Sequence, residues 1–202
     1  MRSRNFTIGL VASVVVVALA VGCLFLVRSI AGPDLELPDE VDGLVASDLA
    51  AAYPDGRAPD KALDRQRSAN AFNSDGFSAA FDGAEADTRT YIDTGADDFE
   101  TVAVIAVAGR AGPLVPDQGF VDPAYVGFAL PQYERVTRGD VECILVRSNP
   151  PRAGTDFQPD QAVPDYHVCQ RPSGDLTVRV TWRTGDTDRV VDLVDTLWDE
   201  LD

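Results

Sequence analysis

Apolar and polar positions along this chain follow three successive patterns, and the first is an unbroken apolar run. Asn5 to Val27 carry no charge, and Ile8–Val27 (IGLVASVVVVALAVGCLFLV) is apolar almost throughout. That is about the length a helix needs to cross roughly 30 Å of hydrocarbon. The second pattern has a period of two. Phe77, Ala79 and Phe81 alternate before an Asp82-Gly83 turn, and Thr88–Ile92 resumes the extended pattern. Val141–Arg147 sets Val141, Cys143 and Leu145 on one face. In Leu176–Arg183, Leu176, Val178, Val180 and Trp182 point inward, while Thr177, Arg179, Thr181 and Arg183 point outward. Tyr166–Gln170 leads into that strand through Pro172-Ser173-Gly174-Asp175, which reads as a hairpin turn. Thr101–Ala108 is apolar on both faces, as expected of a central strand covered on both sides. Val41–Ala46 reads as a first strand entered through Gly43.

The third pattern is helical. In Asp188–Leu201, Val190, Val194, Leu197 and Leu201 form a stripe widened by Val191, Leu193 and Trp198, enough to dock on a sheet. Asp186 or Thr187 caps its start. A shorter helix, Asp60–Phe72, opens behind Pro59 and stops at Asn73-Ser74-Asp75-Gly76. Strands followed by a helix, without regular βα alternation, predict an α+β fold. Its expected form is an N-terminal transmembrane helix, then a mainly antiparallel sheet packed by a C-terminal amphipathic helix. Residues 1–28 then form a short cytoplasmic end and anchor, 29–40 a tether, and 41–202 an extracytoplasmic domain. Two segments fit no period: Gly109–Gln132, with Pro113, Pro116, Pro123 and Pro131, and Ser148–Asp165, with Pro150, Pro151, Pro159 and Pro164. Loops of this length are uncommon in a compact domain.

Charge orients the anchor. Arg2 and Arg4 precede the span and acidic residues follow it, which favours a cytoplasmic N-terminus; Arg28 can snorkel to the headgroups. The localisation expected is the cell membrane, single-pass, with the C-terminal domain outside. Two other readings stay open. A cleaved signal peptide would use Ser29-Ile30-Ala31, although the apolar run is long for one and Arg28 intrudes. A lipoprotein box would use Ala20-Val21-Gly22-Cys23, although Leu24–Val27 continue the apolar run. Beyond Arg28 lie 14 basic and 33 acidic residues, a net charge of −19. Phosphate and anionic lipid repel such a surface, so no nucleic-acid partner is expected and the membrane is met through the N-terminal helix alone. The span also lacks a GxxxG contact motif.

Three cysteines are sorted by this topology. Cys23 sits in the apolar span, whereas Cys143 and Cys169 fall in strand-like runs where oxidation is permitted, so a Cys143–Cys169 disulfide is expected. A redox or metal-binding thiol pair would need closer, CxxC-like spacing.

The candidate chemistry is thin. His167 is the one histidine, and a base needs a positioned partner. Gly76-Phe77-Ser78-Ala79-Ala80 imitates a nucleophile elbow, but a polar loop and a turn flank it where a strand and a helix are required. Asp93, Asp97, Asp98 and Glu100 do not follow the calcium-loop spacing. Gly109-Arg110-Ala111-Gly112 lacks the glycine spacing of a phosphate loop. No catalytic residue, metal site or cofactor is therefore expected. The lead that survives is Phe120, Tyr125 and Phe128 in the proline-rich loop. They either form an exposed recognition patch or fold back as a lid on the sheet, with a short helix at Pro123–Phe128; the lid is the simpler expectation.

The chain resembles uncharacterised actinobacterial single-pass, membrane-anchored extracytoplasmic proteins. The resemblance rests on the short basic N-terminus, the span, the entry Leu37-Pro38-Asp39-Glu40-Val41-Asp42-Gly43-Leu44, Tyr91-Ile92 before an apolar strand, and two later cysteines on separate strands. It implies location and fold, and brings no catalytic residues. The function expected is a membrane-anchored interaction or structural domain of the cell envelope, without enzymatic activity, whose partner is another envelope protein. The alternative is an accessory domain binding a small or lipidic ligand beneath the aromatic loop, and a hydrolase is a distant third.

Overall fold

In the computed structural model, the described residues are 35–53, 58–96, 100–183 and 186–201, with backbone alone at 160 and 161. The membrane span, Cys23 and Asp97-Asp98 lie outside them. No helix among the described residues is long and apolar enough to cross a membrane.

Eight strands form one antiparallel sheet: β1 Glu40–Val41, β2 Leu44–Ala46, β3 Ala86–Asp93, β4 Glu100–Val107, β5 Tyr133–Arg138, β6 Val141–Val146, β7 Tyr166–Pro172 and β8 Thr177–Trp182. Their order is β1-β2-β3-β4-β8-β7-β6-β5. Three helices accompany them: α1 Asp60–Ala80, α2 Pro123–Val126 and α3 Thr187–Leu201. The architecture is α+β, with an eight-stranded antiparallel sheet and a C-terminal helix across it.

The core lies between α3 and one sheet face. Val190, Leu193, Val194 and Leu197 meet Val102, Val104, Val178, Val180 and Trp182, all essentially without exposure. Asp186 caps α3, its Oδ1 accepting from Asp188 N at 3.0 Å and Arg189 N at 3.3 Å. Charged partners pin the helix at both ends. Arg189 bonds Asp93 at 2.6 Å and lies over the Trp182 ring at 4.3 Å; Arg171 bonds Asp195 at 2.8 Å and lies over Trp198 at 4.8 Å. Burial alone would raise the Asp93 carboxyl, but the Arg189 hydrogen bond and the Gly95 and Ala96 N–H groups hold it below its ordinary value.

Five expectations are corrected. The domain begins at Leu35 rather than Val41, because Leu35 and Leu37 join the core, the latter 1% exposed. Their N–H groups donate to Glu85 and Asp87, the Tyr91 hydroxyl donates to Pro38 O at 2.8 Å, and Arg89 holds Asp39 and Asp48. The first strand is instead a hairpin, since Asp42 and Gly43 both take positive φ and turn β1 back onto β2. The helix opening at Asp60 runs on to Ala80, so Phe77, Ala79 and Ser78 are helical. Phe77 and Phe81 are four residues apart, a spacing that suits one helical turn as well as alternation. β4 has only one fully covered face: Val102, Val104 and Ala106 are buried, but Thr101 and Ala103 are exposed. On that second face α1 covers mainly β3, tied by polar contacts, with Thr88 Oγ1 donating to Asn70 O at 2.9 Å and Thr88 N donating to Ser74 Oγ at 3.0 Å. Finally, Thr177 is buried rather than outward-facing, its hydroxyl donating to Gly109 O at 2.7 Å and accepting from Ala111 N at 2.8 Å.

Cys143 and Cys169 sit directly opposite on β6 and β7 and form a disulfide. Both are fully buried in the core under α3.

Candidate functional site

The loop between β4 and β5 is fixed at its base. Leu114 is its buried anchor, packed on Ile144 and Val146, with its N–H donating to Glu142 Oε1 at 3.0 Å and its carbonyl accepting from Arg135. Gln170, fully buried, donates to Gly112 O at 2.8 Å and also to Glu142, while its Oε1 accepts from Arg179 Nη2 at 2.7 Å. Burial lowers the Arg179 guanidinium pKa, against the opposing pull of Glu142.

Beyond this base the loop rises to a single helical turn. Asp122 accepts from Ala124 N at 2.9 Å, Pro123 supplies a ready-made helical φ, and Gly127, at φ 77°, ends the turn. The second irregular segment, Ser148–Asp165, runs alongside. Phe128 pairs with Arg152 in an isolated antiparallel bridge, Ala129 N donates to Pro151 O at 2.7 Å, and Ala153 N donates to Gly127 O at 3.0 Å. One arginine closes the join. Arg147, 7% exposed, donates from Nε to Ala162 O at 2.8 Å, from Nη1 to Pro131 O at 3.3 Å, and pairs with Glu134 at 3.0 Å.

Two proline-rich loops are thus laced together, and they carry most of the large hydrophobic side chains exposed among the described residues. Apart from Phe72 on α1, the large hydrophobic side chains exposed among the described residues all belong to these loops: Val115, Phe120, Val121, Tyr125, Val126, Phe157 and Val163. Tyr125 is 89% exposed, and Phe120 is 47% exposed with Arg135 over its ring at 5.1 Å. Phe128 is half-buried at the bridge between the loops. The lid expectation is therefore overturned for Phe120 and Tyr125. The loop does cover the sheet, but Leu114 makes that contact. The helical turn is shorter than expected, ending at Val126 because Gly127 takes the left-handed conformation.

The remaining candidates are dispersed. His167 is fully buried between Leu145 and Trp182, its Nε2 2.9 Å from the Thr187 hydroxyl. Ser78 lies within α1, so no strand-to-helix elbow forms around it. Asp93 is paired with Arg189, and Glu100 accepts from Trp182 Nε1 at 3.1 Å. Among the described residues no group of three or more His, Cys, Asp or Glu is placed to hold a metal ion. A cleft of ≈ 730 Å³ with a mixed polar and apolar wall opens between Arg110, Gly112, Asp140, Ser173 and Trp198, and the three loop aromatics are not part of that wall. Leu114 and Arg147, which shape the surface, carried no site signal in the sequence; the start of α2 at Pro123 was legible, whereas its Gly127 stop was missed, although a glycine there is the signal that could have found it.

No protein-family model matches this chain, and no curated protein or solved structure matches it. What defines the molecule is its own geometry: a disulfide-linked antiparallel α+β domain carrying an apolar platform on two joined loops.

Proposed function

We propose that residues 35–201 form the extracytoplasmic interaction domain of a single-pass, membrane-anchored envelope protein, and that the platform binds a protein partner. One observation carries the reading: exposed large apolar side chains gather on two loops that Arg147 and the Phe128–Arg152 bridge hold in place. Large apolar side chains exposed together on neighbouring loops favour a recognition role. Prior bonding of the loops reduces the ordering cost of association. A buried disulfide supports an oxidising compartment, and the apolar run Ile8–Val27 supports the anchor. The proposed role is non-catalytic; the enclosed position of His167 and the helical position of Ser78 support that. The ligand reading asks for a cavity beneath Phe120, Tyr125 and Phe128. The underlying contact is Leu114 packed on Ile144, and the cleft lies elsewhere, so a protein partner is preferred.

Photocrosslinking in intact cells tests this, with benzoylphenylalanine replacing Tyr125 and, as a surface control, Lys61 on α1. One discrete protein adduct from position 125, absent from position 61, is expected. No adduct at 125, or the same adducts from both positions, would overturn the reading.

A further inference from the structure

β5 is an outer strand of the sheet, and two observations fix which way its backbone groups point. Cys143 and Cys169 stand opposite with Cα atoms 4.0 Å apart, the close approach of a pair without mutual backbone hydrogen bonds. Cys143 therefore turns its N–H and C=O toward β5, where it meets Val136. The two-residue turn Gly139-Asp140 agrees, because it makes Arg138 and Val141 a hydrogen-bonded pair. Glu134, Val136 and Arg138 thus direct their backbone groups to β6, while Tyr133, Arg135 and Thr137 direct theirs outward. Among the described residues no backbone group of β5 bonds to main chain outside β6; the Arg135 side chain reaches Leu114 O, and the Arg138 side chain makes an exposed contact with Thr137 O at 3.3 Å.

An open edge of this kind templates pairing with another strand. We propose that the partner is β5 of a second copy, paired antiparallel about Val136 so that two sheets become one across a twofold axis. Outward-pointing groups then meet each other, Arg135 against Thr137 of the second copy and the reverse. On the face that carries α3, Val136 meets Val136 and Glu134 meets Arg138, twice over. Opposite charges directly across a strand pair stabilise it, and like charges destabilise it.

The centre of pairing is selective. Pairing about Arg135 sets two arginines opposite each other, pairing about Glu134 sets two glutamates opposite, and pairing about Thr137 leaves Glu134 without a cation. The side chains concerned are available. Arg138 makes two weak contacts, 3.3 Å to Thr137 O and 3.7 Å to Asp188, and its side chain and that of Asp188 are both more than half exposed. Glu134 keeps 41% of its side chain exposed beside Arg147, room for a second cation. Val136 is half-buried at the rim of the core and would lose its remaining exposure. The α3 helix packs mainly on β7 and β8, with a smaller contact on β6, and its Asp188 approaches Arg138 on the edge strand. This inference does not rest on the partner-binding reading: the Tyr125 adduct can appear or fail without bearing on it.

The test uses the full chain in detergent with Cys23→Ala, so that an introduced cysteine is the one free thiol. Under mild oxidation, Val136→Cys is expected to give at least tenfold more covalent dimer than Thr137→Cys, whose own counterpart lies out of reach. In the Val136→Cys background, Arg138→Glu lowers the yield at least fivefold and Arg138→Lys leaves it within twofold. Arg138 is exposed, so both variants fold and the comparison stays readable. Equal yields from positions 136 and 137, or no difference between Arg138→Glu and Arg138→Lys, would overturn the proposal.

Discussion

Replacing Arg147 with methionine preserves the aliphatic volume while deleting the charge that joins the two loops. The Ala162 and Pro131 carbonyls lose their donor, and Glu134 loses its cation. A hydrogen bond to a charged group contributes about 1.5–3 kcal/mol, and the longer Pro131 contact belongs below that range. Glu134 is 41% exposed, so screening limits its share to about 1 kcal/mol or less. Together these give a loss of about 3 kcal/mol. At about 2–4 °C per kcal/mol for a domain of this size, Tm falls by about 6–12 °C. Calorimetry of the variant beside the wild type reads the shift. Hydrogen exchange at Ala129 and Ala153, whose amides lace the loops, shows where it arises. Arg147→Lys, which lacks the planar fork, should fall between the two. A Tm within about 2 °C of wild type, with those amides equally protected, would refute the argument that Arg147 holds the platform.

Three further expectations follow from other parts of the molecule. Thiol titration of the denatured, unreduced chain should find one reactive group, Cys23; three would rule out the Cys143–Cys169 bridge, whose loss on reduction should cost about 3–4 kcal/mol on the chain-entropy model. Gly76→Ala should stabilise by about 1 kcal/mol in denaturant titration, because Gly76 is helical and an added Cβ meets nothing within 4 Å; a destabilised variant would contradict the continuous helix. Asp93 has a lowered folded-state pKa, so it contributes stability above its unfolded value that is lost as pH falls through the folded one. The stability difference between wild type and Arg189→Gln should therefore be full at neutral pH and shrink in acid, and an unchanging gap down to pH ~2 would refute the pairing.

The residue pattern alone determined what depends on local period and on strong apolar contrast. The stripe of α3 reads directly from Val190, Val194 and Leu197, and the hairpin of β7 and β8 from its turn residues. The placement of Cys143 and Cys169 on strands was legible for the same reason, since alternation assigns each residue a face. Tertiary structure decided the positions where two periods or two roles fit the same residues. Phe77 and Phe81 satisfy both a strand and a helical turn, and packing beside β3 settled them as helix. Leu35 and Leu37 are too few to declare an element, and their amides find partners only in the side chains of Glu85, just ahead of β3, and Asp87 within it. The platform depended on it most. Whether Phe120 and Tyr125 were covered or open turned on which residue took the contact with the sheet; Leu114 took it, and long-range bonds from Gln170, Thr177 and Arg147 set the rest. Such contacts join residues far apart in the chain, and no local period encodes them.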